Sequence, residues 1–370
     1  MSPNLQWGEP PKASPVVAAM SGGVDSSVAA ALLHQAGHEV IGVTLKLQDC
    51  REARGSRSCC GIDGGARARA VAGHLGIPHY VLDCAREFGE EVLRPAWNEY
   101  AAGRTPSPCL FCNERIKFGL LLAWARRLGA SLIATGHYAR IAPDGRGEPS
   151  LLRGEDREKD QSYFLAGLSI DQLRSVLFPI GRRRKHEVRE LARSAGLPNA
   201  DSPDSQDACL VGPDQSFAEM LRERFQAEAR PGSIVTSDGR VLGRHPGIHR
   251  FTVGQRRGLD VRSSRPYWVK SVQAETASVV VTEDEDELFT DRLVVAGINW
   301  LGEGAASAST ACQVQVRSRQ EPEPAALKML GAGVARVIFA RPVRAVTPGQ
   351  AAVFYDGARV LGRGWIHGTG

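Results

Sequence analysis

Apolar positions in the first half of the chain alternate between two rhythms. Residues 16–20, 40–47, 79–83 and 132–135 form short apolar runs that read as strands. Between them, residues 24–36, 66–76, 87–101 and 113–128 carry apolar side chains at helical spacing, and Gly37, Gly76 and Gly129 stand where helix C-caps fall. Repeated units of this kind predict a parallel sheet with helices on both faces, whose ligands bind beyond the carboxyl ends of the strands. After about residue 212 the rhythm changes. Short β-branched runs separated by Gly, Pro and Asp, as in GSIVTSDGRVLGRH, LVVAGINWL and AAVFYDGARVLGRGWI, predict strands without helices.

The expected fold is therefore α/β. A flexible tail covers 1–14, a parallel-sheet domain 15–212, a small mainly-β domain 213–287 and an antiparallel β-barrel 288–370. A length of 370 residues supports two or three domains, each with its own core. Hydrophobic residues at 42% and charged residues at 24% argue against both a disordered chain and a membrane-embedded one. No stretch approaches the ~18 consecutive apolar residues of a spanning helix. The opening MSPNLQWGEPPKAS lacks the apolar run of a signal peptide, so the expectation is a cytoplasmic protein with no membrane partner.

Net charge is only +5, from 46 Lys plus Arg against 41 Asp plus Glu, but it is unevenly distributed. Residues 240–265 hold seven arginines (240, 244, 250, 256, 257, 262 and 265) against the single acid Asp260, while 283–287 is an unbroken acidic run. A second basic stretch holds Arg182, Arg183, Arg184, Lys185 and Arg189. Such clusters are commonly solvated surface, and acquire a polyanion as partner only with support from elsewhere.

The sharpest chemical signal is SGGVDSS (21–27), directly after the first strand and at the start of the first helix. Paired glycines allow a tight turn and let backbone N–H groups approach an oxyanion, and the helix start adds unpaired donors. Asp25 adds a carboxylate for a metal ion. Neither GxxxxGK[ST] nor a strand-following GxGxxG occurs, which removes the two commonest nucleotide fingerprints.

Eight cysteines lie at 50, 59, 60, 84, 109, 112, 209 and 312. In a reducing compartment they are not a disulfide framework. Cys50, Cys84 and Cys312 lie in or beside apolar runs and read as small core residues. Cys109 and Cys112 occupy a Pro-bounded loop ahead of the helix expected from Asn113, a position that favours the thiolate. Cys209 lies in a second loop, DSPDSQDACLVG (201–212). The pair serves sulfur or redox chemistry, or a metal or iron–sulfur site completed by Cys59, Cys60 or Cys209, or is inert.

The loop resembles that of the PP-loop ATP pyrophosphatases. The whole set AMSGGVDSS, GRTPSPCLFCN, IATGHYAR, LLRGEDREKDQSYFL, DSQDACLVG, FTVGQRRGL and VTPGQAAVFYDG, in order from residue 19 to 357, resembles the tRNA-specific 2-thiouridylases. That resemblance implies ATP-dependent thiolation at carbon 2 of the wobble uridine of tRNA, with Mg2+, AMP and pyrophosphate. It implies tRNA as partner (Lys, Glu and Gln isoacceptors) and a persulfide donor such as a cysteine desulfurase or relay protein. By motif, Cys209 carries the persulfide and Cys112 frees the sulfur, leaving a Cys112–Cys209 disulfide. Ala19, Met20, Ser21, Gly22, Gly23, Val24, Asp25, Ser26, Leu45 and Gly136 match ATP positions. Ser107, Pro108 and Cys109 match the target-base contact, and Lys159, Asp160, Gln161, Arg317 and Ser318 match tRNA contacts. Some members carry Asp where this chain has Cys109, which leaves a Cys109, Cys112 and Cys209 iron–sulfur set as the alternative. Another PP-loop adenylating enzyme, or a non-enzymatic RNA- or metal-binding protein, are the competing classes.

Overall fold

The structure, a computed structural model, describes residues 14–48, 62–203, 215–301, 309–331 and 333–369. In chain order, the first half comprises β1 (Val16–Ala19), α1 (Val24–Gln35), β2 (Val40–Lys46), α2 (Ile62–Leu75), β3 (His79–Asp83) and α3 (Ala85–Phe88). A π-helical turn, Gly89–Leu93, leads into α4 (Arg94–Ala101). There follow α5 (Pro108–Phe111), a π-helical segment Cys112–Leu120, α6 (Leu121–Arg127), β4 (Leu132–Ala134), the hairpin β5 (Ala139–Pro143) and β6 (Pro149–Arg153), α7 (Ser162–Leu165), α8 (Ile170–Leu173), β7 (Val176–Leu177) and α9 (Lys185–Ser194). Contacts divide the chain into two compact units, one of Met1–Val92, Cys109–Asp214 and Ala358–Val360, the other of Leu93–Pro108, Gln215–Gly357 and Leu361–Gly370.

The first unit is built on a five-stranded sheet of order β3-β2-β1-β4-β7, parallel at every pairing. Val16, Val17 and Ala18 on β1 are buried, as a strand covered on both faces requires. Val28, Ala29, Ala30 and Leu33 of α1 pack into the same core. Burying a side chain such as Leu33 stabilises the fold by about 1.5–3 kcal/mol. The helix expected from residue 113 starts earlier, at Pro108. Proline is favoured in a first helical turn because its missing N–H has no partner there anyway. Cys112 consequently sits one turn inside a helix and not at its free end.

The second unit contains α4, α10 (Phe217–Arg224) and two β-structures. β8 (Gly232–Thr236), β9 (Val241–His245), β10 (Trp268–Gln273) and β11 (Ser278–Thr282) form a sheet of order β10-β11-β8-β9 around Ile234, Val269, Val279 and Val281. β12 (Phe289–Trp300), β13 (Ser309–Gln315), β14 (Glu323–Gly331), β15 (Val334–Arg344), β16 (Ala351–Asp356) and β17 (Arg359–Gly368) run in order β12-β15-β14-β13-β16-β17, and β12 also pairs with β17. That pairing closes a six-stranded antiparallel barrel. Ala335, Val337 and Phe339 of β15 alternate inward with exposed neighbours, the period-two pattern of VARVIFA. The α/β class with a small β domain and a terminal barrel agrees with the reading from pattern. No helix among the described residues is long and apolar enough to cross a membrane.

One partly buried ionic cluster ties α10 to the turn after β9. Glu219 accepts from His249 Nε2 at 3.0 Å and Arg222 Nε at 2.6 Å, and Arg250 Nε lies 3.4 Å away. Burial raises the Glu219 carboxyl, but the His249 and Arg222 hydrogen bonds and the Arg222 charge outweigh it and hold the group at about 2, against an ordinary 4.5. A carboxyl depressed in the folded state adds stability that is present above 4.5 and lost as pH falls toward about 2. Urea melts at pH 5 and pH 3 should show Glu219→Gln losing less stability across that interval than the native chain.

Candidate functional site

β1 lies between β2 and β4, so the connections leaving β1 and β4 diverge, and this is where an open parallel sheet binds ligands. Ser21–Ser27 follows β1 and Gly136–Tyr138 follows β4. Gly22 has φ +81°, and a Cβ there would lie 2.2 Å from Gly64 O, so both turn and neighbour demand glycine. Gly23 precedes α1 and offers no side-chain cap, leaving a helix start suited to an anion. Ser26 Oγ donates to Gly23 O at 3.0 Å and accepts from Ser21 N at 3.2 Å, while Ser27 Oγ donates to Gly23 O at 2.9 Å. Asn199, almost fully buried, donates from Nδ2 to Gly22 O and Ser27 Oγ, both at 2.9 Å. The loop is thus held in shape before any ligand arrives.

Asp25 is the loop's carboxylate. Lys185 Nζ donates to its two oxygens at 2.7 and 2.9 Å, and the Tyr138 hydroxyl donates to Oδ1 at 2.8 Å. Lys185 therefore turns onto this loop, although in the chain it belongs to a basic run. Its backbone N–H donates to Asp156 at 2.8 Å, and Tyr138 exchanges backbone bonds with Gln161, through Oε1 at 3.0 Å and N at 2.9 Å. Residues 156–161 close this ring around Asp25. Gly136 touches the loop directly: a Cβ on it would lie 2.6 Å from Asp25 C and Ser26 N.

The other motif residues fall as follows. Ala19 is half-buried, Met20 and Val24 are buried, and Leu45 on β2 is nearly so. Asp160 forms a nearly buried ion pair with Arg153 at 2.8 Å and accepts from Gly154 N and Ser162 N at 2.9 and 3.1 Å. Asp160 and Gln161 thus serve the loop's own framework, and Lys159 beside them is half-buried. In the second unit, Ser107 is buried and Pro108 opens α5. Arg317 Nη2 donates to Val253 O, Ala345 O and Thr347 Oγ1 at 2.9, 2.8 and 2.8 Å, and Ser318 is exposed. Arg317 anchors Val253, just ahead of the GQRRG loop, and within the loop Gln255 accepts from Thr252 N and donates to Arg257 O. All seven arginines of 240–265 are exposed.

Cys109 is exposed and Cys112 partly buried. Phe118 of the same π-helical segment packs on His137, ring centres 5.8 Å apart, which links the cysteine helix to the turn after β4. His137 is buried; burial first, and the Lys117 charge second, hold its pKa well below the ordinary imidazole value. Its Nδ1 lies 2.7 Å from Thr135 Oγ1. Burial, with Glu87, Asp83 and Cys112 adding, pushes the Cys84 thiol up to about 12, and burial pushes Cys312 to about 11, as expected of inert core thiols. Cys50, Cys59, Cys60 and Cys209 lie outside the described residues, so the Cys112–Cys209 pairing does too. Among the described residues no group of three His, Cys, Asp or Glu side chains is placed to hold a metal, and the third ligand of the iron–sulfur set, Cys209, lies outside them. Pattern reading missed Tyr138, Lys185 and Asn199. IATGHYAR and the basic run contained the first two, but nothing local connects them to Asp25.

Residues 14–213 match the family described as tRNA methyl transferase HUP domain, 219–283 its PRC-barrel domain and 290–366 the aminomethyltransferase β-barrel domain. A protein of Carboxydothermus hydrogenoformans named tRNA-specific 2-thiouridylase MnmA is 45% identical over 95% of this chain and 97% of its own. Those so named from Rhodospirillum centenum and Chloroflexus aggregans are each 46% identical, over 98% and 95% of this chain and 94% and 98% of theirs. With a nucleotide-type loop at the sheet's switch point, a cysteine helix packed on the turn after β4 and relatives matched along nearly the full length, the chain belongs to the tRNA-specific 2-thiouridylase family.

Proposed function

We propose that this protein replaces the C2 oxygen of the wobble uridine of tRNA with sulfur, using ATP. The observation that carries the reading is the prebuilt Ser21–Ser27 turn with Asp25 held by Lys185 and Tyr138, in the same unit as Cys112. A uracil C2 oxygen is a poor leaving group. Its attack on the α-phosphate of ATP forms an O–P bond, expels pyrophosphate and converts the oxygen into AMP, which leaves readily. Backbone donors around Gly22 and Gly23 and the Lys185 ammonium hold the departing negative charge. The terminal sulfur of a Cys209 persulfide then attacks C2 as AMP departs. The Cys112 thiolate attacks Cys209 Sγ, breaking the S–S bond; sulfur stays on the base and a Cys112–Cys209 disulfide forms. Two external thiols supply the two electrons that restore the pair and leave as their own disulfide.

Asp25 fits a nucleotide-bound Mg2+, which takes one or two protein carboxylates together with phosphate oxygens and would neutralise phosphate charge there. Ser21–Ser26, Leu45 and Gly136 line the nucleotide site in this reading. Ser107–Cys109, Lys159, Ser318 and the exposed arginines of 240–265 receive the tRNA, whose phosphates those arginines neutralise, while Asp160, Gln161 and Arg317 shape the loops that present them. Catalysis then belongs to 15–212, and tRNA contact extends over 213–287 and the barrel of 288–370, in a cytoplasmic enzyme supplied by a persulfide donor.

Incubating the reduced protein with ATP, Mg2+, a persulfide source and unmodified tRNA should yield 2-thiouridine at the wobble position by mass spectrometry, with one pyrophosphate per thiolated base. Pyrophosphate without 2-thiouridine would sink the reading. Lys185→Ala should raise the KM for ATP about tenfold or more, the worth of one charged hydrogen bond, with tRNA affinity unchanged in filter binding.

A further inference from the structure

The helix opening at Pro108 changes register at Cys112. α5 is α-helical, Cys112–Leu120 is π-helical, and α6 returns to the α form. The wider register is visible at its end, where the Leu121 N–H donates to Ile116 O, five residues back. Runs of π-helix are rare and mostly single turns, often at functional sites, so nine residues of it need support from outside the helix. That support comes from α8. Gln172 Nε2 donates to Glu114 O at 2.8 Å and Phe118 O at 3.0 Å, while its Oε1 accepts from Ser169 N at 2.9 Å in a capping box. Asn113, buried, donates from Nδ2 to Phe164 O at 2.9 Å. Gly119 lets the Glu114 carbonyl come close, since a Cβ there would lie 3.1 Å from that oxygen.

We propose that Gln172 is a positioning residue for Cys112. By engaging the Glu114 and Phe118 carbonyls it holds the π register and so sets the direction of the Cys112 side chain. The downstream half of the helix is anchored in the core by Leu121, Leu122 and Ala125. One residue of register is about 100° around a helix axis, so relaxation of the segment to the α form would rotate Cys112 relative to that anchor. The proposal rests on the reading of Cys112 as nucleophile only for its catalytic consequence; the placement of the thiol is a separate observable.

The test uses three cysteines as reporters in the reduced full-length protein. Iodoacetamide labelling rates are read by mass spectrometry for Cys112, for exposed Cys109 on α5 as reference, and for buried Cys84 as a sensor of unfolding. Gln172→Glu keeps the acceptor for Ser169 N and hence the α8 cap, but replaces the donor with a carboxylate facing two carbonyls. Gln172→Ala removes both. In each variant the Cys112 to Cys109 rate ratio should change by about fivefold or more with Cys84 still protected. Single-turnover thiolation should slow by about tenfold while the KM for ATP stays constant. A ratio within about twofold of the native value in both folded variants overturns the proposal. Should either variant expose Cys84, Gly119→Ala, which disturbs the same register without touching α8, decides by the same ratio. Thiolation surviving in Cys112→Ser would remove the nucleophile reading and leave the labelling result standing.

Discussion

Replacing Cys112 with serine should lower the release of thiolated tRNA in a single turnover without added thiol by roughly a thousandfold, while ATP and tRNA affinities hold. The effect is this large because a hydroxyl at that position cannot break the bond between Cys209 and the transferred sulfur. The local structure should survive, since the segment is pinned by Asn113 and by Gln172, neither of which uses the Cys112 side chain. A specific species should accumulate. With adenylation and sulfur attack intact, the base remains joined to Cys209 through a disulfide, giving a tRNA–protein adduct on denaturing gels. Dithiothreitol should dissolve the adduct and release thiolated tRNA, and Cys209→Ser should form none. A native yield of free thiolated tRNA from Cys112→Ser in a single turnover without added thiol would refute the role.

Gly136→Ala is expected to raise the KM for ATP by about a hundredfold and to destabilise the first unit by roughly 1–3 kcal/mol. An added Cβ would meet the main chain at Asp25 C and Ser26 N, both at 2.6 Å, and Asp25 O at 2.9 Å. These are backbone atoms of the first turn of α1, whose Ser26 and Ser27 are buried, so neither side yields by rotating a side chain. The turn must move, and with it the Gly22–Gly23 donors and the Asp25 carboxylate. Gly73→Ala on α2 is the matched control: nothing lies within 4 Å of its added Cβ, so ATP binding should be unchanged. Titration of nucleotide with each variant, alongside urea melts, separates the two. Equal affinity for ATP in Gly136→Ala and native protein would show that the contact does not shape the site.

Local pattern alone determined the alternation of β1, α1, β2, α2, β3 and β4, the glycine caps, the place of Ser21–Ser27 at the first strand–helix junction and the mainly-β texture of the second half, where it missed the helix α10 that Ser216 caps through Glu219 N. Each of these depends on side chains within a few positions of one another, through hydrophobic period and backbone preference. The exposed arginines of 240–265 were legible for the same reason. Tertiary structure alone decided which distant residues complete the site. Tyr138 reaches Asp25 across 113 positions, Lys185 across 160, and Asn199 reaches Gly22 across 177. It also turned Asp160, Gln161 and Arg317 toward framework bonds, and gave Cys112 a π-helical setting through a glutamine 58 positions from Glu114. Such pairings follow from which elements the sheet order makes neighbours, and the period of a segment carries no record of what will lie beside it.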